Sequence, residues 1–208
     1  MQDEQSNGFN MVIKFNRTTW FPSLVLAAMA MIAMGSTPAK ATEAIWQKLR
    51  NGGYTLLIRH TRAPGTGDPA NFELRDCSTQ RNLSERGRLE ARRMGARIAA
   101  SGAIISHVYT SQWCRTKETA ELAFERIRKV DELEDLNSFF RDPSTKEAQT
   151  ASTLDLIENY GGPGNQAMVT HQVNITALTD IFPREGEAVV VQWDSASDDL
   201  SIIGRLRF

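Results

Sequence analysis

The sequence predicts an α/β fold, a three-layer sandwich around a mostly parallel sheet with an antiparallel edge. Two observations carry that expectation. Compact apolar runs of the kind buried on both faces, such as YTLLI at 54–58 and QAMVT at 166–170, alternate with segments whose apolar residues recur at helical spacing. The chain then closes on AVVVQW at 188–193 and LSIIGRLRF at 200–208, two strand-like runs joined by a polar loop and suited to an antiparallel edge pair. Strands alternating with helices in this way argue for one α/β domain.

Taken in order, a short amphipathic segment at 43–50 is turned by Asn51-Gly52-Gly53 into the first strand, 54–58. A long loop follows, broken by Pro64-Gly65 and Gly67-Asp68-Pro69 and polar from Cys77 to Asn82. Loops of that length inside a compact domain are uncommon and often functional. Ser84 stands as N-cap of a helix whose Leu83, Gly87, Ala91, Met94 and Ile98 share one face and which Ser101-Gly102 stops. A second strand is expected at 104–110. A second helix at 111–124 is entered near Trp113 or Cys114, with Ala120 and Phe124 on its inner face. A weaker segment runs from Val130 toward Leu136. Ser144 or Thr145 caps a further helix expected to turn Ala148, Leu154 and Ile157 inward, and the glycine-proline run at 161–164 ends it. The strand at 166–170 terminates at His171, and 173–179 is a short helix.

The chain has 208 residues, 41% hydrophobic and 24% charged, which suits one globular domain with a substantial core. With 24 basic and 25 acidic residues the net charge is -1, so nothing global attracts nucleic acid or an anionic membrane surface. Any anion site must be local. Arg86, Arg88, Arg92, Arg93 and Arg97 decorate one helix, but Glu85 and Glu90 are interleaved, which reads as a solvated face rather than a nucleic-acid stripe.

Residues 1–41 read as a targeting segment. Lys14 and Arg17 precede an uncharged stretch at 20–34, and Ala39-Lys40-Ala41 supplies the small residues for cleavage after Ala41. A membrane span needs about 20 apolar residues; this run is shorter and holds Pro22 near its start. The expectation is a signal peptide at 1–41, a folded domain at 42–208, no stable membrane span after cleavage, and a periplasmic or secreted protein, with an uncleaved anchor as the alternative. In an oxidising compartment Cys77 and Cys114 form a possible disulfide, against which stand two separately buried thiols.

Ligands of open α/β sheets bind outside the carboxyl ends of the strands. The first strand delivers Arg59 and His60 there, the second leads to Arg115 at a helix start, and a later one delivers His171. The remaining histidine, His107, falls on the opposite side of the sheet and reads as structural or exposed. Two arginines and two imidazoles converging on one crevice form an anion set, for which phosphate is the natural ligand. No G-x-S-x-G elbow occurs, and Cys77 lacks the arginine a cysteine phosphatase loop needs. There is no H-E-x-x-H, and arginines beside the histidines would repel a divalent cation, so neither a metal nor a cofactor is expected. A neutral imidazole, by contrast, attacks phosphorus directly.

The stretch LIRHT at 57–61 resembles the Arg-His-Gly signature of the histidine phosphatase superfamily, also called phosphoglycerate mutase-like. SQWCRTKETA at 111–120 is similar to its Ser-Pro-x-x-Arg-Ala-x-x-Thr-Ala element, and VTH at 169–171 resembles the third. NLSERGRLEA at 82–91 fits the helix start between the first two. Together with the leader, the resemblance implies an exported bacterial member whose catalytic domain is 42–208. It further implies that His60 is the phosphorylated nucleophile, that Arg59, Arg115 and His171 bind the phosphoryl group, and that Arg62 adds a contact, although one residue is missing from the Arg-His-Gly-x-Arg-x-Pro spacing.

Two departures stand out. Thr61 replaces the usual glycine, and Gln172 stands where one branch of the superfamily carries its acidic proton donor. The other branch takes its acid from the segment after the second helix, which makes Asp135 the first candidate and Glu134 the second. The implied function is hydrolysis of phosphomonoesters on a phosphorylated small molecule, glycan or protein. A phosphate-binding or interaction module of the same fold without turnover is the alternative.

Overall fold

Alternating side chains along the central strands set the architecture. A computed structural model describes residues 38–124 and 130–208. Among the described residues six strands lie in the order β3-β2-β4-β1-β5-β6: β1 (Thr55–Arg59), β2 (Ile105–Thr110), β3 (Val130–Glu132), β4 (Asn165–Thr170), β5 (Ala188–Asp194) and β6 (Asp199–Leu206). The first four are parallel, β5 runs antiparallel to β1, and β6 antiparallel to β5. The expected mostly parallel sheet with an antiparallel edge is therefore present.

Leu56, Ile58, Ala167, Val169, Ala188 and Val190 point to one core, shared with α1 (Pro38–Asn51), α2 (Glu85–Ser101) and α3 (Cys114–Ala123) through Trp46, Leu49, Met94, Ile98 and Ala120. Their sequence neighbours Leu57, Met168, Val189 and Val191 point to the other, against Ile157 of α4 (Lys146–Glu158) and Ile175 of α5 (Gln172–Thr179). A register slip of one residue would exchange the two faces, and because the two cores differ in shape the alternation pins the register.

The start of α2 fixes the path of the chain leaving β1. Ser84 caps the helix by accepting the Gly87 N–H at 3.1 Å, and its own N–H donates to the Arg62 carbonyl at 3.0 Å. A Cβ on Gly87 would collide with that same carbonyl, so only glycine permits this approach. At the other end Gly102, at φ 78, closes the helix in the left-handed conformation.

Three expectations shift. Helix α1 starts at Pro38 rather than near Glu43, running across Ala41; the rest of the expected leader lies outside the described residues. The segment 130–136 divides into β3 and a 3-10 turn, Glu134–Leu136. In α4 the buried positions are Gln149, Thr153 and Ile157, while Ala148 is exposed and Leu154 half-buried. The inner face carries polar residues because each is satisfied there: Gln149 Nε2 donates to the Glu134 carbonyl at 3.0 Å and Thr153 Oγ1 to the Gln149 carbonyl at 2.7 Å.

Cys77 and Cys114 are disulfide-bonded across 37 residues, tying the long β1–α2 loop to the first residue of α3. In the chain-entropy account, closing a loop of that length stabilises by about 2–4 kcal/mol. The Cys77→Ser/Cys114→Ser variant is therefore expected to unfold at clearly lower urea concentration than the oxidised protein; equal midpoints would contradict the assignment.

Candidate active site

Strands β1, β2 and β4 end at one edge of the sheet and hand over directly to His60, Ser111 and His171. His60 and His171 line a cavity of about 150 Å³ whose wall also includes Arg59, Asp68, Arg81 and Arg115. Its rim carries Phe140, Arg141, Gln172 and Val173.

His60 is 1% exposed. Its Nδ1 lies 2.8 Å from the Thr61 carbonyl, which only accepts, so Nδ1 carries the proton and the lone pair of the neutral ring sits on Nε2. Burial, followed by the Arg115 guanidinium, holds this imidazole well below the ordinary histidine range, outweighing the opposite pull of the Thr61 bond. His171 packs edge to face on it, with ring centroids 5.6 Å apart. Arg115 Nη2 approaches His171 Nδ1 at 3.4 Å, and His171 Nε2 lies 2.9 Å from Ser111 Oγ. Because guanidinium only donates, Nδ1 is the acceptor and Nε2–H donates to Ser111, whose hydroxyl passes on to Asn137 Oδ1 at 3.1 Å. Burial, then Arg115 and His60, hold His171 likewise well below its ordinary range.

Both rings are thus neutral at neutral pH, with a consequence for stability. As pH falls below about 6.5, the unfolded chain takes up protons that the folded chain refuses, down to the depressed folded values. Stability is expected to decline through that window, by at most about 1.4 kcal/mol per pH unit for each imidazole. Urea unfolding between neutral and mildly acidic pH checks this, and a midpoint independent of pH there would contradict it.

The cations are held by their surroundings. Arg59 Nη1 donates to the Pro183 carbonyl at 3.0 Å, and Arg81 lies 3.7 Å from Glu185. Arg115, almost wholly buried, pairs with Asp68 at 2.7 Å. The Nε atoms of Arg59 and Arg115 are buried without a hydrogen-bond partner. Buried donors of this kind are rare in folded proteins and call for an explanation.

The structure brings Arg59, His60, Arg115 and His171 together but leaves other expected residues outside. Arg62, with its carbonyl pinned by Ser84, turns its half-exposed side chain to Glu90 at 3.4 Å in a separate cleft. Asp135 is half-buried in the 3-10 turn after β3 and does not line the cavity, and Glu134 faces a different cleft, beside Lys117 and the disulfide. Gln172 reaches the rim, where its amide donates to Thr176 at 2.8 Å. Thr61 fits beneath α3 and away from the cavity: its N–H donates to Thr119 Oγ1 at 3.1 Å, and the two hydroxyls meet at 3.2 Å. Strand-end spacing does not single out Asp68, Arg81 or Arg141; the sequence signal for Asp68 and Arg81 is the length of their loop with its Gly67-Asp68-Pro69 break, and Arg141, which follows the 3-10 turn, has none. His107 lies within β2, exposed and stacked on Tyr109. Among the described residues no group of three or more histidine, cysteine, aspartate or glutamate side chains is arranged to hold a metal ion. Nor is any described helix long and apolar enough to cross a membrane.

Sheet order and cavity define a phosphoglycerate mutase-like α/β protein with a cationic, two-histidine site. Residues 55–140 match the family model described as histidine phosphatase superfamily (branch 1). The fold is shared with the protein histidine phosphatase SixA bound to tungstate, at TM-score 0.56 and 17% identity, over 74% of this chain and 96% of that one. It is shared also with Bacillus stearothermophilus YhfR, at 0.56 and 16%, over 73% and 95%. A third is the phosphoserine phosphatase of Entamoeba histolytica, solved with 3-phosphoglyceric acid, at 0.55 and 13%, over 74% and 97%. No curated protein matches the chain in sequence. The family match covers residues 55–140, and the fold around it is the one these phosphatases share.

Proposed function

We propose that the protein is an exported phosphatase that hydrolyses phosphomonoesters through a phosphohistidine on His60. One observation carries this: the Nδ1–H bond to Thr61 leaves the Nε2 lone pair of a neutral imidazole on the wall of a cavity lined by arginines. In the first step Nε2 forms a bond to phosphorus while the bond to the leaving oxygen breaks and takes its electron pair. In the second, water displaces the imidazole, giving phosphate and the free enzyme. Arg59, Arg81 and Arg115 surround the phosphoryl group with fixed donors for its equatorial oxygens as charge shifts, and His171 lines the same cavity with its one N–H given to Ser111. Four wall and rim arginines set against Asp68 and Glu185 leave a surplus of positive charge suited to a dianionic ester.

Asp68 is engaged by Arg115, and Glu185 lies between Arg59 and Arg81. Activated esters, whose leaving groups depart with little help from a proton, are therefore the first substrates to assay. Proteins that share this fold include a protein histidine phosphatase and a phosphoserine phosphatase, so phosphorylated proteins and small molecules both belong in the substrate panel. Export rests on the basic residues, uncharged stretch and Ala39-Lys40-Ala41 of the leader.

The test is hydrolysis of p-nitrophenyl phosphate and a panel of phosphomonoesters by the purified protein, with orthovanadate as inhibitor. Turnover blocked by vanadate is expected. Vanadate binding without turnover of any ester would instead favour a binding module.

A further inference from the structure

Asp68 is an acid in an anion pocket, and its setting is built. Its side chain is 5% exposed. Oδ1 accepts from Arg115 Nη1 at 2.7 Å and from the Arg81 N–H at 3.1 Å; Oδ2 accepts from Arg115 Nη2 at 3.3 Å and from Trp113 Nε1 at 3.1 Å. Burial opposes the charge, yet the bonds from Arg115, Arg81 and Trp113 hold the carboxyl below its usual range. A charged acceptor saturated by four donors has no proton to give, so its role is geometric.

What it orients is Arg115. Nη1 is divided between Asp68 and the Arg81 carbonyl at 3.3 Å, Nη2 between Asp68 and His171 Nδ1. A two-pronged carboxylate of this kind fixes the plane of the guanidinium as well as its position. The loop that carries Asp68 is fastened along the stretch that follows it. Phe72 stacks on Trp113 at 5.1 Å, Gln80 Oε1 accepts the Cys114 N–H at 3.0 Å, and the disulfide joins Cys77 to Cys114. Arg141 donates to the Pro69 carbonyl at 2.9 Å beside it. A negative charge here weakens the attraction for phosphate, a cost offset only if orientation matters more than charge.

We propose that Asp68 is a positioning residue for phosphoryl transfer at His60, holding Arg115 in the orientation that meets the transferring phosphoryl group. The proposal rests on the phosphatase reading above. Asp68→Asn keeps the shape and removes the charge that binds the fork. Misplacing a positioned group by about 1 Å costs on the order of 100-fold, so kcat is expected to fall at least about tenfold. KM is expected to stay level or drop, because Arg115 then faces the substrate dianion without its counter-charge. Inhibition by vanadate, a mimic of the transferring group, is expected to weaken in step with kcat/KM.

A merely structural role would lower the active fraction and leave the vanadate constant unchanged, and that result would overturn the proposal, as would wild-type kcat. Thermal unfolding reports whether the variant folds. Where it does not, Trp113→Phe removes the Nε1–H held to Oδ2, together with part of the ring packed on Phe72 and His171, and a several-fold fall in kcat with matching loss of vanadate affinity is expected; unchanged values would overturn the proposal. His60→Ala is run alongside: retained turnover there refutes the phosphohistidine at His60, whereas vanadate dissociation constants from direct binding, which need no turnover, still report on Asp68.

Discussion

His60→Ala is expected to reduce turnover of p-nitrophenyl phosphate by about 10⁴-fold or more while the protein still folds. Losing a nucleophile on which a covalent intermediate depends costs more than losing any one of its helpers, because nothing else in the cavity takes its place. His171 is not a substitute. Its Nε2–H is committed to Ser111 and its Nδ1 faces Arg115, whereas His60 alone is held through Nδ1 by a backbone carbonyl. The fold survives because His60 is bonded only through that one ring nitrogen, and removing a buried neutral imidazole strands no charge. Steady-state kinetics with a thermal melt check this; an alanine variant within tenfold of wild type would rule out a nucleophilic role.

Arg115→Ala should have the second largest effect, and on two properties. Removing one preorganised donor to developing charge typically lowers kcat by about 10²–10³-fold. It also leaves the Asp68 carboxylate buried without its charge partner, and breaking a buried pair in this way costs about 3–5 kcal/mol. Lower kcat together with a lower unfolding midpoint is expected. Arg115→Lys should recover part of the stability but little of the rate, because a point charge does not reproduce the fork. Unchanged stability in the alanine variant would mean that the pair with Asp68 is not formed as described.

The fold was largely legible because its signals are local. The compact apolar runs at 54–58 and 166–170, the Ser84 cap and the Gly102 stop act over a few residues. The inner face of α4 was misjudged because Gln149 and Thr153 look solvated in sequence, and Gln149 finds its partner in the Glu134 carbonyl, which only the folded chain brings near. In the site, residues that leave strands were visible: a strand's end fixes where Arg59, His60 and His171 stand. Asp68 and Arg81 were not, because their loop reaches the cavity through ties to α3 and to Arg141, and nothing within the loop records them. Arg62 shows the converse. The family resemblance suggested a ligand there, one residue short of the expected spacing, but the contact of its carbonyl with Ser84 and Gly87 carries the chain past the cavity and sends the side chain to Glu90.

The phosphohistidine is the central claim, and it can be caught. Protein mixed with an activated phosphate ester, quenched in alkali within the turnover time and digested, is analysed by mass spectrometry. The account predicts one phosphorylated histidine, His60, with a label stable to alkali, labile to acid and absent in His60→Ala. Turnover with no labelled histidine at any quench time, or a label on His171, would contradict it.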